Sequence, residues 1–216
     1  MKKIILLFTI AAGFVFTARA QKDAEAKTIL AQVSKKYRSY DVVKADFSFT
    51  IENPQAKAKE TQPGTLYVQS KTNKYKVVLS NQEMLSDGKT LWTYLKGEKE
   101  VQVTNVDHSA DALNPARIFT IYETGYKYIY NGEQKSGAKT YQVIDLTPID
   151  ISKTIFKIRL NIDKATKQIS SAQVFEKNGN KYSYTIKSIV PNAKVPAGTF
   201  AFDAKKYPGV EVVDLR

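Results

Sequence analysis

Apolar and polar residues alternate with a period of two along most of the chain, a pattern that predicts β-strands. The alternation is clearest where Phe156, Ile158 and Leu160 are separated by basic residues. About eleven such segments, from 45–51 to a short last one at 199–203, are joined mostly by short turns. Strands in this number and order predict one antiparallel sheet with many meander connections.

The alternation also predicts that the sheet has one wet face and one dry face. A sheet of so many strands has to twist and curl, and only two helical segments are available to cover its dry side. We therefore expect a mainly β fold with some α-helix, a curved sheet whose apolar hollow is left partly unfilled. Such a hollow suits an apolar ligand. In a tightly closed barrel the same residues would instead pack against each other as an ordinary hydrophobic core.

Two stretches have the spacing of helices. The first, 23–40, is amphipathic, and its apolar stripe is predicted to cover one face of the sheet. The second begins at Asn114, a favourable N-cap followed by proline, and ends at Gly125. Its apolar stripe consists of Ile118, Phe119 and Tyr122. This second helix is either a lid over the hollow or a crossover packed on the core, and the sequence favours neither.

Pairs of turn-forming residues mark the joins between strands. Asp87-Gly88 and Asn178-Gly179 each predict a tight hairpin, because glycine supplies the positive φ that such turns require. Asn131-Gly132 opens another turn region, and the polar, charged run 55–62 is typical of a loop.

The first twenty residues have the three parts of a secretory signal peptide. Two lysines and an apolar run precede the small-x-small sequence 18–20, so we expect cleavage after Ala20. The exported chain, 21–216, is then expected to be a single domain. No cysteine follows the cut, so no lipid anchor is expected on the chain itself.

The composition limits the kinds of active site and partner that the chain can have. The chain has no cysteine and one histidine, His108, so a thiol nucleophile is excluded and no catalytic or metal site is expected. Basic residues outnumber acidic ones by 33 to 21, but the lysines are scattered over polar strand faces without a nucleic-acid motif. We expect no nucleic-acid partner and no cofactor. The tripeptide 88–90 is not part of a P-loop, because Glu83 stands where that motif needs a glycine.

One hairpin carries a resemblance to a known family. The stretch 86–94 reads Ser-Asp-Gly-Lys-Thr-Leu-Trp-Thr-Tyr, and it resembles the signature hairpin of the outer-membrane lipoprotein carrier family, LolA. The stretches 45–47, 64–68, 146–148 and 200–214 are similar to that family in the same order. The resemblance extends over nearly the whole exported chain.

The resemblance implies an open half-barrel lidded by helices and a role as a periplasmic lipoprotein chaperone. Members of that family take lipoproteins from an ATP-driven extractor in the inner membrane to an acceptor at the outer membrane. It therefore implies acylated lipoproteins, that extractor and that acceptor as partners, and we expect a monomer that is not an enzyme. Family members latch the lid with an arginine after the second strand. This chain has Ser70 or Lys71 there, and lysine lacks arginine's planar fork of donors.

The dry face and the second helix supply the residues that we expect to bind acyl chains. They are Phe47, Phe49, Leu66, Tyr75, Val77, Leu79, Trp92, Tyr94, Ile118, Phe119, Tyr122, Phe156, Ile158, Leu160 and Tyr184. The chain's one tryptophan is included because alternation puts it on the same side of its strand as Tyr94.

Two other interpretations stay open at the level of sequence. A half-barrel of this kind also suits a lipid- or lipoprotein-sensing module, or a carrier of another amphipathic lipid. An exported hydrolase would use carboxylates such as Asp46, Glu83 or Asp87. No spacing pairs these three, and Asp87 is accounted for by its turn.

Overall fold

The computed structural model describes residues 22–72, 74–106 and 115–216, and only the backbone of the first two residues of the last range. The predicted signal peptide lies outside these ranges, as do His108 and Asn114. Over the described ranges, no helix is long and apolar enough to cross a membrane.

Helix α1 spans 22–38, close to the predicted first helix. Twelve strands follow within the described residues: β1 (Val42–Asn53), β2 (Ala58–Gln69), β3 (Lys74–Leu79), β4 (Gln82–Asp87), β5 (Thr90–Leu95), β6 (Glu100–Asn105), β7 (Tyr126–Ser136), β8 (Lys139–Pro148), β9 (Ile155–Asp163), β10 (Gln168–Glu176), β11 (Lys181–Pro191) and β12 (Glu211–Asp214). The described part of the chain also contains three short 3₁₀ segments: Pro115–Phe119, Ile121–Glu123 and Ala204–Lys206.

All twelve strands belong to one open sheet, in the order β12-β6-β5-β4-β3-β2-β1-β11-β10-β9-β8-β7. Neighbouring strands are antiparallel except β12 and β6, which pair in parallel. The edges are β7 and β12, so the sheet does not close into a barrel. The prediction of a single open antiparallel sheet is confirmed, with one strand more than expected.

Two predicted elements are wrong. The expected last strand at 199–203 is a turn, and the last strand is β12, which is held by its pairing with β6. The expected loop at 55–62 is mostly strand, because β2 pairs with β1 along their full length, from Asn53 opposite Ala58 onward. Both faces of that part of β2 are polar and exposed, so its sequence lacks alternation.

The turn predicted at Asn131-Gly132 is a β-bulge. The pairing of β7 with β8 shifts between Tyr130 and Glu133, and β7 then continues to Ser136. Gly132 has φ +94, so the glycine provides the conformation of the bulge rather than a turn.

The second predicted helix forms as two 3₁₀ segments rather than one helix of about ten residues. Ile118, Thr120 and Ile121 are β-branched, which lowers helix propensity. The stop at Gly125 agrees with the prediction, since this residue has φ +80.

Strand register divides the side chains between two faces, because directly paired residues lie on the same face. On one face Ala45 pairs with Leu66, Leu66 with Val77 and Val77 with Met84. Helix α1 covers this face, which we call the helix face. The buried stripe of α1 is Ala26, Ile29, Leu30, Val33 and Tyr37. These residues form one apolar cluster with side chains from β1 to β3 and β7 to β11.

The opposite face carries a smaller apolar patch on β4, β5 and β6. Leu85 pairs with Trp92, and Trp92 with Val103. The segment 194–207 lies over this patch, so we call it the tail and this side the tail face. Much of the rest of this side is polar, as in the ion pair of Arg159 with Asp145, 2.7 Å apart. The wet and dry sides predicted by alternation therefore hold for most strands but not for β4 to β6.

Candidate functional site

The apolar centre of the molecule is the middle of the helix face. Leu66, Val77, Ile144, Leu146 and Leu160 are each at most 2% exposed there. They come from strands on both sides of β1, so the sheet has to curl around helix α1 to bring them into one cluster.

The 3₁₀ segments add a second layer over this face. Ile118, Phe119 and Tyr122 are at most 7% exposed, and the first segment contacts β2 and β3. The Phe119 ring stacks on Tyr37 of helix α1 with centroids 4.2 Å apart. Helix α1 and residues 115–123 together are the cover of the helix face, and we use that name below.

One carboxylate joins the two halves of the cover. Glu123 accepts hydrogen bonds from Arg38 Nη2 at 2.6 Å and Nε at 3.2 Å, and from the Ser34 hydroxyl at 2.8 Å. Glu123 in turn raises the pKa of Arg38. The Ser34 hydroxyl also lies 3.2 Å from the Tyr122 hydroxyl, whose pKa burial raises to about 12.

The position after β2, to which the family resemblance assigns a latch, has other surroundings in this chain. Ser70 uses its backbone N–H to bond the Asp41 carbonyl, and Lys71 is exposed. Arg38 instead joins helix α1 to Glu123 of the second 3₁₀ segment, and its guanidinium has the planar fork of donors that lysine lacks.

The cover also buries the side-chain hydroxyl of Tyr37. Tyr37 is 3% exposed, and its hydroxyl makes no hydrogen bond of standard geometry to the described residues. Burial raises its pKa, and the nearby Ile169 backbone opposes that rise only in part. A buried hydroxyl without a good partner costs about 1–3 kcal/mol.

One part of the helix face is only half covered. Phe49 stacks on Tyr184 with centroids 4.8 Å apart and lies parallel to Tyr182 at 6.3 Å. Phe49 and Tyr182 are half-buried, whereas Tyr184 is 7% exposed and burial raises its pKa. We call these three residues the aromatic strip. It lies toward the end of the sheet where β1 ends and β11 begins.

Most of the residues expected to bind acyl chains meet at this face. On the sheet they are Phe47, Phe49, Leu66, Tyr75, Val77, Leu79, Ile158, Leu160 and Tyr184. In the cover they are Ile118, Phe119 and Tyr122. The structure thus brings twelve of the fifteen predicted residues to one side of the sheet.

Trp92 and Tyr94 lie on the other side, so the expectation that they share a face with Phe47 is wrong. The register pairs Trp92 with Leu85 and Val103 of the tail face. Tyr94 contacts Tyr207 of the tail, with ring centroids 5.0 Å apart. Strand β5 places Leu91 on the helix face instead, and both sides of this strand are apolar enough to mislead alternation.

The prediction that Phe156 faces the apolar hollow is also wrong. The pairing of β9 with β10 shifts near the start of β9, so Ile155 is buried at 2% and Phe156 is 45% exposed. The Phe156 ring lies 6.2 Å from that of Phe175, outside the apolar cluster. An irregularity of one residue is enough to turn a strand side chain away from the core.

Several residues of the helix face are absent from the set that the sequence predicted to bind acyl chains. They are Ile144, Leu146, Ile162, Ile169, Ala172, Val174, Tyr182 and the tyrosines of β7. The alternating Tyr126, Tyr128 and Tyr130 were a usable signal, since register joins them to Pro148, Leu146 and Ile144.

The tail face has a cavity of its own, of about 390 Å³. Its walls include Lys76 and Leu85 on the sheet and Lys194 and Tyr207 in the tail. The Tyr207 hydroxyl donates to Glu83 at 3.1 Å, and burial is the main reason that the pKa of Tyr207 rises to about 12.

The carboxylates considered for a hydrolase have structural partners. Asp46 accepts hydrogen bonds from the hydroxyls of Ser188 and Thr65 at 2.8 and 2.9 Å. Glu83 pairs with Lys76 at 3.1 Å. Asp87 accepts from two backbone N–H groups of its own turn. Among the described residues no group of three or more histidine, cysteine or acidic side chains could hold a metal ion.

Comparison with known sequences gives consistent matches. The profile of the family described as "Outer membrane lipoprotein carrier protein LolA" matches residues 38–203. An outer-membrane lipoprotein carrier protein from Pasteurella multocida (strain Pm70) is 26% identical over 223 positions, covering 100% of this chain and 99% of the relative. A protein of the same description from Serratia proteamaculans (strain 568) is 27% identical over 221 positions, covering 100% of both.

Solved structures support the fold. An uncharacterized conserved protein from Thermus thermophilus superposes with a TM-score of 0.59 at 13% identity, over 88% of this chain and 99% of that one. A DUF1329 family protein from Desulfovibrio piger ATCC 29098 gives a TM-score of 0.53 at 11% identity, over 85% and 98%. At such low identity the likeness concerns the fold alone.

Proposed function

Because the chain belongs to the family of outer-membrane lipoprotein carriers, we propose that its helix face binds the acyl chains of lipoproteins and that the protein ferries them across the periplasm. The family's description as a carrier agrees with the expectation that the chain is not an enzyme. An ATP-driven extractor in the inner membrane and an acceptor at the outer membrane are the partners that this proposal implies.

The observation that carries the proposal is the construction of the helix face. Its sheet residues are apolar across many strands, and its cover is a separate layer held by ring stacking and the Glu123 cluster. An acyl chain has the same chemistry as the cover's apolar side chains, so it can take their place against the sheet. The aromatic strip, already half open, is the natural point of entry.

The free energy of removing an acyl chain from water favours a carrier of this kind. At about 0.8 kcal/mol per CH₂ group, hiding one sixteen-carbon chain from water is worth roughly 12 kcal/mol. A lipoprotein therefore does not cross an aqueous compartment unprotected. The carrier also has to release its cargo, and a cover that competes for the same apolar surface lowers the net affinity.

A pair of substitutions on opposite faces tests the proposal. Phe49→Ser should weaken binding of a fluorescent fatty acid at least about tenfold, because it removes the stacking partner of Tyr184 from the aromatic strip. Trp92→Ser is the matched control, an aromatic change on the tail face, and should leave the affinity within about twofold.

Circular dichroism and thermal unfolding of both variants separate loss of binding from loss of fold. Equal losses of affinity in the two variants, or unchanged affinity in a folded Phe49→Ser protein, would refute acyl binding at the helix face. Mass spectrometry of material that copurifies with the exported protein would then identify the cargo.

A further inference from the structure

The loop between β8 and β9 exposes large apolar side chains at one end of the sheet. Ile149 is 59% exposed and Ile151 is 87% exposed. Phe156, at the start of β9, is 45% exposed. Single exposed apolar residues are ordinary, but three of them within eight positions form a patch of the kind that marks an interaction site.

The loop is held in place rather than loosely attached. Asp150 accepts hydrogen bonds from the backbone N–H and the hydroxyl of Ser152, at 2.9 and 2.7 Å. The Lys177 ammonium donates to the Ile151 carbonyl at 2.5 Å, and the Lys177 backbone N–H donates to the Thr154 carbonyl at 2.9 Å. The two isoleucines are therefore presented to solvent by an ordered backbone.

Three lysines, Lys153, Lys157 and Lys177, lie near the exposed residues. The charges of Lys153 and Lys177 help to lower the pKa of Asp150, although the Ser152 hydrogen bonds are the larger cause. Lys157 lies over the Phe175 ring, 4.4 Å from its centroid, and that ring contacts Phe156.

Two acidic groups near the loop are Asp150 and Glu176. Glu176 is engaged within its own hairpin, where it accepts hydrogen bonds from Asn178 at 3.1 Å and Tyr182 at 3.3 Å. The balance around the loop is thus basic.

We propose that this loop tip, made of Ile149, Ile151 and Phe156 with Lys153, Lys157 and Lys177, docks on the surface of an anionic phospholipid membrane. The isoleucines enter the boundary between headgroups and acyl chains, and the lysines meet lipid phosphates. Exposed apolar side chains beside three lysines fit that layered surface, whereas a protein partner would need a matching pocket.

The proposed docking does not rest on acyl binding at the helix face. If both occur, docking sets the orientation of the binding face relative to the membrane. In the antiparallel order β8 ends where β9 begins, β10 ends where β11 begins, and β1 ends beside them. The loop tip and the aromatic strip therefore lie toward the same end of the sheet. A docked molecule would turn its half-open end toward the lipid.

Cosedimentation of the exported chain, 21–216, with vesicles tests the proposal. We expect binding to mixed phosphatidylcholine and phosphatidylglycerol vesicles that weakens with added salt, and little binding to phosphatidylcholine alone. The double substitution Ile149→Ser/Ile151→Ser should reduce the partition coefficient at least about tenfold. Lys153→Gln/Lys157→Gln should reduce it by about fivefold per lysine on the anionic vesicles.

The matched control is Val212→Ser/Leu215→Ser, since these residues are 50% and 57% exposed near the opposite edge of the sheet. This variant should bind vesicles like the parent. Phe49→Ser should also keep vesicle binding, so that failure of docking and failure of acyl binding are told apart. Absence of binding to anionic vesicles, or equal binding by the Ile149→Ser/Ile151→Ser protein, would overturn the proposal.

Discussion

The two faces of the sheet each bury an apolar surface, but their covers are attached differently. On the tail face, the covering segment continues into β12, whose backbone bonds the sheet edge. Glu211 donates to the Lys99 carbonyl at 3.0 Å and Leu215 to the Val103 carbonyl at 2.8 Å. On the helix face, the polar attachment within the cover comes from side chains, through the Glu123 cluster.

We propose that this difference separates a permanent cover from a replaceable one. A segment that shares backbone hydrogen bonds with a sheet leaves only when the sheet edge opens. A cover held by apolar packing and an exposed ion pair can exchange its contacts for those of an apolar ligand. The difference supports the proposal that ligand binds at the helix face and that the patch on the tail face is structural.

The largest effect is expected on the tail face. Leu85→Ala removes most of a side chain that is 2% exposed and should lower the free energy of unfolding by about 2–5 kcal/mol. Because the tail cover is permanent, fatty-acid affinity at a temperature where the variant is folded should stay within about twofold. Denaturant unfolding and a binding titration measure the two quantities. A loss of affinity beyond the loss of folded protein would contradict the division between the faces.

A smaller effect is expected where β2 passes under an aromatic ring of the helix face. A Cβ at Gly64 would lie 2.4 Å from Phe47 Cζ and 2.8 Å from Leu79 Cδ2, and both side chains are buried. Gly64→Ala should therefore cost about 1–3 kcal/mol of stability through displaced packing. It should also change fatty-acid affinity, since Phe47 belongs to the proposed binding surface.

Gly97→Ala is the control for that substitution, because nothing lies within 4 Å of its added methyl group. Its unfolding free energy should stay within about 0.5 kcal/mol of the parent. Equal stability of the Gly64→Ala and Gly97→Ala proteins would show that Phe47 is not packed against β2 as described.

The smallest effect on stability is expected within the replaceable cover. Glu123→Gln removes the carboxylate that Arg38 and Ser34 bind, and because Arg38 is 64% exposed this should change stability by less than about 1 kcal/mol. A loosened cover competes less, so the fatty-acid affinity should rise about two- to fivefold. High salt should raise the affinity of the parent toward that of the variant.

Glu133→Gln provides a matched ion-pair control, since Glu133 pairs with Lys164 at 2.6 Å outside the cover. Its fatty-acid affinity should equal that of the parent. A decrease in affinity on Glu123→Gln would mean that the cluster supports binding rather than opposing it.

Alternation and turn chemistry predicted the sheet well, because both are local. Helix α1 and the hairpin at Asp87-Gly88 formed as expected, with φ +97 at Gly88. The first turn residue, Asp87, accepts from the N–H groups of Lys89 and Thr90, which accounts for its place in the sequence. Most of the candidate site followed from the same alternation.

Most of the failures depend on pairing between distant segments. Trp92 could be assigned to a face only once Leu85 and Val103 were known to flank it. Phe156 turned outward because of a local irregularity in strand pairing, and β12 exists because the edge of β6 accepts it. The link between Arg38 and Glu123 joins residues 85 positions apart, and no local pattern signals it.

The claim that one cover is replaceable and the other permanent can be measured by spin-label distances. The chain has no cysteine, so labels can be placed at will. Lys35→Cys on helix α1 and Lys205→Cys on the tail are both exposed positions, and each can be paired with exposed Lys187→Cys on β11.

On addition of fatty acid, the distance from position 35 to position 187 should lengthen or broaden, while that from position 205 to position 187 should stay unchanged. An unmoved helix α1 in the fatty-acid complex, or a displaced tail, would contradict the account.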